Sequence, residues 1–216
     1  MELQPIFLEL AQRYTGDKIL TEKLWAEIAA SYTKRKRHYH NLAHLDNLLQ
    51  ELAPLRQSIQ YWDTLLFSIF YHDAVYNVLK KDNEERSADL AKKRLQQIQF
   101  PAASMERCYQ QILATKAHSI SSDHDTNLFT DADLSILGKG PATYQQYCTD
   151  IRKEYSVYPD FMYKPGRKKV VEHFLQMERI YKTDYFFQLY EVPARANLQM
   201  ELVSLLHKQQ FHAHLF

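Results

Sequence analysis

The sequence predicts an all-α fold, and three observations support that prediction. Only 4 of the 216 residues are glycine and 7 are proline, which favours long helices over many tight turns. Apolar residues recur at helical spacing along most of the chain, as at Ile6, Leu10 and Tyr14. No segment has the alternation of apolar and polar residues that is typical of a half-buried strand. Because 45% of the residues are apolar and nothing divides the chain internally, we predict a single domain over residues 1–216.

Two helices and a basic run are predicted near the N-terminal end. We expect the first helix to end at Gly16, since glycine often follows the last turn of a helix. A second helix is expected after Thr21, with an apolar stripe that includes Leu24 and Ile28. The basic run 34–37 is interpreted as a solvated helix end. The alternative is a cationic rim that attracts a phosphorylated substrate.

The next two predicted helices carry side chains that can bind a metal. Asn41 is suited to cap a helix, which would place His44 in the first turn of that helix. Residues 61–71 are strongly apolar, so we expect a buried helix there. His72 and Asp73 follow directly at its C-terminal end. An unpaired buried carboxylate is costly, and a bound metal would remove that cost.

The rest of the chain predicts further helices and one loop. A helix is expected to open near Asn83 and another near Pro101. Residues 119–127 are polar and predict a loop, and the short segment 131–137 is expected to stop at Gly138. Three more helices are predicted at about 141–155, 167–181 and 191–208.

Four residues form the predicted set of metal ligands: His44, His72, Asp73 and Asp133. Two imidazoles and two carboxylates give the mixed nitrogen and oxygen donors that Mn, Mg, Ni, Fe or Zn accept, with positions left for water or substrate. Any one of them alone is explained more simply by helix capping or by a hydrogen bond within the core. The set as a whole favours a divalent metal ion, or two such ions. Asp131 is an alternative to Asp133, and the other aspartate would then cap the short helix.

Other polar residues have more than one interpretation. His40 has an ordinary pKa of about 6.5, which suits a general acid that protonates a leaving oxygen, but it can also support a metal ligand by hydrogen bonding. Glu84 is a candidate to orient a ligand, although stabilisation of a first helical turn is simpler. His118 is also a candidate ligand for a second metal ion. The candidate contacts to a substrate phosphate are Lys116, His118, Arg152 and Arg195.

Composition and missing motifs argue against several classes of function. The net charge of +1 gives no strong signal for nucleic acid. No apolar segment approaches the ~20 residues that span a bilayer, so we expect no membrane partner. The two cysteines form no metal or disulfide framework, and with no hydrophobic leader we expect a cytoplasmic location. The 15 tyrosines can complete the core or line the interface of a homodimer.

Three segments, residues 39–44, 71–73 and 132–135, together resemble the HD superfamily of metal-dependent phosphohydrolases. The first and last also resemble cyclic-nucleotide phosphodiesterases. The chain is more closely similar to a bacterial group of predicted metal-dependent HD-domain phosphohydrolases, over about residues 35–200. The segments that carry this closer similarity are 37–41, 70–76, 83–88, 131–138 and 151–155.

The resemblance implies an HD-type helical bundle, with a motif core at about 35–140 and C-terminal helices at 141–210 packed on it. It implies Asp133 rather than Asp131 as the ligand, together with His44, His72 and Asp73. It also implies His40 as the general acid. In the hypothesis that follows, Asp73 has a catalytic role as well, because it can bridge a second cation. Residues 74–77 lack the His-Pro that phosphodiesterases have after this pair, and also the extended motif of cyclic-dinucleotide hydrolases.

The predicted function is hydrolysis of a phosphomonoester or phosphodiester by metal-activated water. The expected partner is a small phosphorylated substrate that resembles a nucleotide. One alternative is a di-iron oxygenase, because some proteins of the HD fold use that cofactor. Another is a sensor that binds a nucleotide or metal without turnover.

Overall fold

Ten α-helices make up most of the described structure, a computed structural model that describes the backbone of residues 2–210 and the side chains of residues 2–206. No strand occurs within this range, which confirms the predicted all-α class. None of its helices has the length and apolar character needed to cross a bilayer. The helices are α1 (Leu3–Gln12), α2 (Lys18–Tyr32), α3 (Leu42–Leu52), α4 (Trp62–Tyr71), α5 (Asn83–Gln97), α6 (Ala102–Ala114), α7 (His124–Asp133), α8 (Pro141–Glu154), α9 (Asp160–Gln176) and α10 (Asp184–Gln210), with 3₁₀ helices at Ala53–Ser58 and Leu134–Gly138.

Helix α4 is the buried helix that its apolar sequence predicted. Every residue from Thr64 to Tyr71 is buried, and the helix contacts α3, α5, α6 and α7. Phe7 of α1 packs edge-on against Phe67 and Phe70, with ring centroids 6.2 and 5.2 Å apart. Because α4 is enclosed on all sides, the two polar residues that follow it are held at a fixed place in the core.

Side-chain capping explains two boundaries that the sequence prediction missed. Helix α2 begins before Thr21, because Asp17 accepts a hydrogen bond from the backbone amide of Leu20 at 2.9 Å. Helix α7 begins inside the predicted loop 119–127, because Asp123 accepts hydrogen bonds from both the amide and the hydroxyl of Thr126. Polar residues that resemble a loop in the sequence are in both cases the start of a helix.

The last two helices begin earlier than the sequence predicted. Helix α9 starts at Asp160 rather than near 167, and α10 starts at Asp184 rather than near 191. Each continues through an internal proline, Pro165 in α9 and Pro193 in α10. Proline costs a helix one backbone hydrogen bond, so contacts with neighbouring elements must compensate. Helix α10 contacts both α9 and the 3₁₀ helix Leu134–Gly138.

The chain divides into two compact units between Asp133 and Leu134. We call them the N-terminal unit (Met1–Asp133) and the C-terminal unit (Leu134–Phe216). The N-terminal unit contains all of the predicted metal ligands. The C-terminal unit has a buried ion pair of its own, in which Arg167 of α9 donates to Glu201 of α10 at 2.8 and 3.0 Å. The single domain predicted over residues 1–216, with its core at about 35–140, stays a prediction.

Gly138 allows the 3₁₀ helix Leu134–Gly138 to approach α10 closely. A Cβ atom at Gly138 would lie 2.5 Å from Cβ and 2.9 Å from Cα of Tyr190. We therefore expect Gly138→Ala to force these elements apart and to lower the free energy of unfolding by about 1–3 kcal/mol. Gly140→Ala is the matched control, because nothing lies within 4 Å of a Cβ atom at Gly140. Urea unfolding of both variants measures the difference, and equal stability would contradict this account of the packing.

Candidate metal centre

Side chains from three helix ends meet in the N-terminal unit. His44 lies in the first turn of α3, where the side chain of Asn41 accepts a hydrogen bond from the amide of Ala43 at 2.9 Å and caps the helix, as the sequence predicted. His72 is the C-cap residue directly after α4. Asp133 is the last residue of α7. The capping of α3 and the burial of α4 therefore fix the positions of both imidazoles.

His44, His72 and Asp133 form a group whose ligand atoms all lie within 4.8 Å of one another. Nε2 of His44 is 3.1 Å from Nε2 of His72 and 3.2 Å from Oδ1 of Asp133. Donor atoms about 2.1 Å from one ion and at right angles to each other are about 3 Å apart. The separations therefore match those of neighbouring ligands on a single metal ion. This group can hold a metal.

Asp73 lies beside both imidazoles of this group. Its Oδ2 atom is 3.2 Å from Nε2 of His72 and 3.8 Å from Nε2 of His44. The backbone amide of Asp73 donates to the hydroxyl of Tyr32 at 3.1 Å, which anchors the chain directly after α4. The donors around the group thus have the mixed nitrogen and oxygen chemistry that divalent metals accept.

A backbone hydrogen bond fixes the tautomer of His72. Its Nδ1 atom lies 2.8 Å from the carbonyl oxygen of Ile69, and a carbonyl only accepts, so Nδ1 carries the proton. Nε2 then points into the group, and its lone pair is available to a metal ion when Nε2 carries no proton. Histidines that bind metals in proteins are held in the same way, with the second nitrogen donating to a carbonyl or carboxylate.

His118 contacts the far oxygen of Asp133. Its Nε2 atom lies 2.9 Å from Oδ2 of Asp133, whereas Oδ1 of the same carboxylate faces His44. His118 has a φ of 50°, a left-handed backbone conformation that is uncommon outside glycine. The candidate phosphate contact is therefore next to the group, where it contacts Asp133.

The charges in the group favour a cation. Burial raises the pKa of Asp73 and Asp133, but the facing histidines outweigh burial and hold both pKa values below the usual range. Burial also lowers the pKa of His44, despite the neighbouring Asp133. At His72 burial acts in the same direction, but Asp73 and Asp133 outweigh it and raise the pKa to about 9. The two carboxylates are thus held in the ionised form that binds a metal ion.

His40 lies next to the group but outside it. It precedes the cap of α3, and its Nε2 atom is 4.0 Å from Oδ2 of Asp73. Its ring packs against those of Tyr76 and Tyr39, with centroids 4.3 and 5.0 Å away. About a fifth of the side chain is exposed, 19% against 3% for His44. His40 is therefore more accessible to solvent than the buried imidazole of His44.

Asp131 and Glu84, the two residues predicted to support the ligands, lie outside the group. Asp131 is fully buried in α7, two residues before Asp133. Residues two apart on a helix do not face each other, so only one of these aspartates can point at the imidazoles, and Asp133 does. Glu84 is half-exposed in the first turn of α5, where its charge acts on Lys116.

Three predicted phosphate contacts are engaged by other groups. Lys116 pairs with Glu85 and donates to the carbonyl of Lys81. Arg152 and Arg195 belong to the C-terminal unit. Arg152 donates to Asp160 at 2.9 Å and to two carbonyls, and Arg195 pairs with Glu191 while donating to three carbonyls. Their assignment to a substrate stays a prediction.

Sequence reasoning did not single out three residues that surround His40 and Asp73. Tyr32 and Tyr76 are ordinary members of helical and loop patterns, so their sequence carries no signal of this position. Arg37 lies in the basic run 34–37, in which residues 34–36 are exposed and Arg37 alone is buried. Four consecutive basic residues give no sequence signal of which one is buried.

No model of a known protein family matches this chain, and no curated protein or solved structure matches it significantly. The resemblance to the HD superfamily therefore stays a prediction that depends on short motifs. The geometry of His44, His72 and Asp133 is an observation independent of that resemblance.

We expect the purified protein to bind a divalent metal ion through this group. His72→Ala removes a buried donor atom, and we expect metal affinity to fall by more than about 100-fold. Removal of a residue that only hydrogen-bonds to a metal ligand already lowers affinity by about 10–100-fold. Because binding to the folded state stabilises it, metal should also raise the Tm of the wild type and not of the variant. Elemental analysis and thermal unfolding with and without Mn²⁺, Zn²⁺ or Fe²⁺ measure both effects.

His124→Ala is the matched control, because His124 is an exposed histidine of the N-terminal unit at the start of α7. It should keep the metal content and the Tm shift of the wild type. Wild-type protein that takes up none of these ions, nor Mg²⁺ or Ni²⁺, would refute the metal centre.

Proposed function

We propose that this protein is a metal-dependent phosphohydrolase of the HD type that acts on a small phosphomonoester or phosphodiester, such as a nucleotide. The observation that carries the proposal is the group of His44, His72 and Asp133, with Asp73 beside it and His40 next to Asp73. Its residues are those that the resemblance to HD phosphohydrolases implies. Two metal-binding imidazoles with an adjacent, more exposed histidine combine a Lewis acid site with a proton donor.

The donor set suits a divalent ion. Two carboxylates, held ionised by the histidines, balance the charge of one such ion, and the two imidazoles add no charge when they act as ligands. A metal held there lowers the pKa of a bound water and polarises a phosphoryl oxygen. Mn, Mg, Ni, Fe and Zn all accept this mixture of donors, and availability selects among them. The proposal includes one ion, and a second ion if His118, which contacts Asp133, serves as a further ligand.

His40 is the proposed proton donor for the leaving group. Its Nε2 atom lies 4.0 Å from Oδ2 of Asp73. It is more exposed than the two imidazole ligands, so its proton is accessible to a substrate oxygen bound beside Asp73. General acid catalysis of this kind contributes about 10²–10⁴-fold to a rate.

The thiols are consistent with the cytoplasmic location predicted from the sequence. Cys108 and Cys148 are both free, and burial raises the pKa of each to about 12, which keeps them unreactive. A reducing compartment preserves such thiols without further protection. A cytoplasmic enzyme with a soluble phosphorylated substrate is therefore part of the proposal.

A di-iron oxygenase is the second candidate, favoured by the contact of His118 with Asp133. An additional imidazole next to the group could serve a second iron. Iron-loaded protein that consumes oxygen in the presence of a substrate, and hydrolyses no phosphate ester, would favour this candidate over hydrolysis.

We expect His40→Ala to separate chemistry from metal binding. The variant should keep the metal content of the wild type and lose about 10²–10⁴-fold in kcat, because it lacks the proton donor but none of the proposed ligands. Asp73→Ala should instead lose metal and activity together. Assays with p-nitrophenyl phosphate, bis-p-nitrophenyl phosphate and nucleotides, each with elemental analysis, measure these effects.

His38→Ala is the control, because His38 is an exposed histidine of the same segment. Equal loss of metal in the His40 and Asp73 variants would refute the separate role of His40. If metal-loaded wild type binds a nucleotide tightly but does not hydrolyse it, the result would favour a sensor over an enzyme.

A further inference from the structure

Arg37 is a buried cation next to the metal centre. Only 7% of the residue is exposed. One terminal nitrogen of the guanidinium donates to the carbonyl of His40 at 3.1 Å, and the other donates to the carbonyl of Ala74 at 3.2 Å. The guanidinium also lies over the rings of Tyr32 and Tyr76, at 4.8 and 5.3 Å from their centroids.

This environment is energetically unfavourable for a charged group. Within the described part of the chain, the partners of Arg37 are two neutral carbonyls and two aromatic faces, and none is a carboxylate. Its Nε atom is buried without a hydrogen-bond partner. Burying a charge without a counterion costs free energy that an apolar side chain of similar size would not cost. Arginine suits this position because its guanidinium directs two donors at two carbonyls in a fixed geometry.

The two carbonyls belong to the segments that carry His40 and Asp73. The first is the carbonyl of His40 itself, and the second is that of Ala74, directly after Asp73. The aromatic faces connect the same residues, since the hydroxyl of Tyr32 accepts from the Asp73 amide and the ring of Tyr76 packs on that of His40. Arg37 thus joins two stretches of chain that no regular secondary structure joins.

We propose that Arg37 is a positioning residue that holds His40 beside Asp73 for proton transfer to the leaving group. This inference rests on the proposed phosphohydrolase function. In that reaction the oxygen of a water molecule forms a bond to phosphorus and releases its proton to solvent. The ester P–O bond breaks, its electron pair goes to the leaving oxygen, and that oxygen takes the proton from Nε2 of His40. Arg37 touches neither substrate nor metal ligand atoms and acts through the position of the imidazole.

The leaving group provides a readout that separates positioning from general damage to the fold. Phenolate is a poor leaving group and needs the proton, whereas 2,4-dinitrophenolate leaves without it. Loss of the aligned acid should therefore slow phenyl phosphate far more than 2,4-dinitrophenyl phosphate. A structural defect that lowers the amount of active enzyme would slow both substrates equally.

The experiment compares Arg37→Met and Arg37→Lys with the wild type, each loaded with metal. We expect both to retain metal, to lose about 100-fold or more in kcat on phenyl phosphate, and to lose less than about threefold on 2,4-dinitrophenyl phosphate. Lysine keeps the charge but cannot direct two donors at two carbonyls, so it should not restore activity. Combining His40→Asn with Arg37→Met should add no further loss, because both act on one step.

Arg56→Met is the matched control. Arg56 also lies over an aromatic ring, that of Trp62 at 5.0 Å, but it is exposed and makes no contact with His40. It should leave both rates unchanged. Equal losses on the two substrates in the Arg37 variants, or full activity on phenyl phosphate, would overturn the positioning role.

A second measurement is independent of turnover. Modification of His40 by diethylpyrocarbonate, located by peptide fragmentation, reports how firmly the imidazole is held. We expect modification about tenfold faster in Arg37→Met and Arg37→Lys than in wild type or Arg56→Met, and an unchanged rate would overturn the proposal. Wild type that hydrolyses no phosphate ester with any metal would instead refute the proposed function, while faster modification would still support the contact between Arg37 and the segment of His40.

Discussion

The hydrogen bond from Nδ1 of His72 to the carbonyl oxygen of Ile69 is the interaction on which the candidate metal centre depends. It joins the imidazole to the last turn of a helix that is buried on every side, so the ring cannot turn without breaking a buried bond. Nε2 is thereby directed at His44 and Asp133 before any metal arrives. The apolar residues of α4 therefore influence metal binding indirectly, because they determine the position and direction of Nε2 of His72.

Much of the fold and of the candidate centre could be predicted from the sequence, because local rules govern those parts. Asn41 has a capping side chain at the right distance from an apolar stripe, and this alone places His44 in a first helical turn. The apolar run before His72 predicts a buried helix without any knowledge of its neighbours. The start of α7 was missed, because Asp123 and its polar neighbours fit a loop as well as a cap.

What the sequence could not supply is the direction of side chains in three dimensions. Asp131 and Asp133 have the same chemistry, and only their opposite positions around α7 distinguish them. Arg37 has the same charge as its exposed neighbours, but it alone is buried, where it donates to the nearby carbonyl of His40 and to the carbonyl of the distant Ala74. His118 is brought to Asp133 by a left-handed backbone conformation that helical periodicity does not predict. Long-range contacts decide all three cases.

The three members of the donor group come from residues 44, 72 and 133, and the two imidazoles alone are 28 residues apart in the chain. An ion that binds all three closes long loops in the same way as a covalent cross-link, and it restricts the unfolded chain if the ligands stay attached. The centre then has a mechanical role besides a chemical one. Helices α3, α4 and α7 would be tied at one point, and removal of the ion would release them together, so that the N-terminal unit would become easier to digest by proteases long before it unfolds completely.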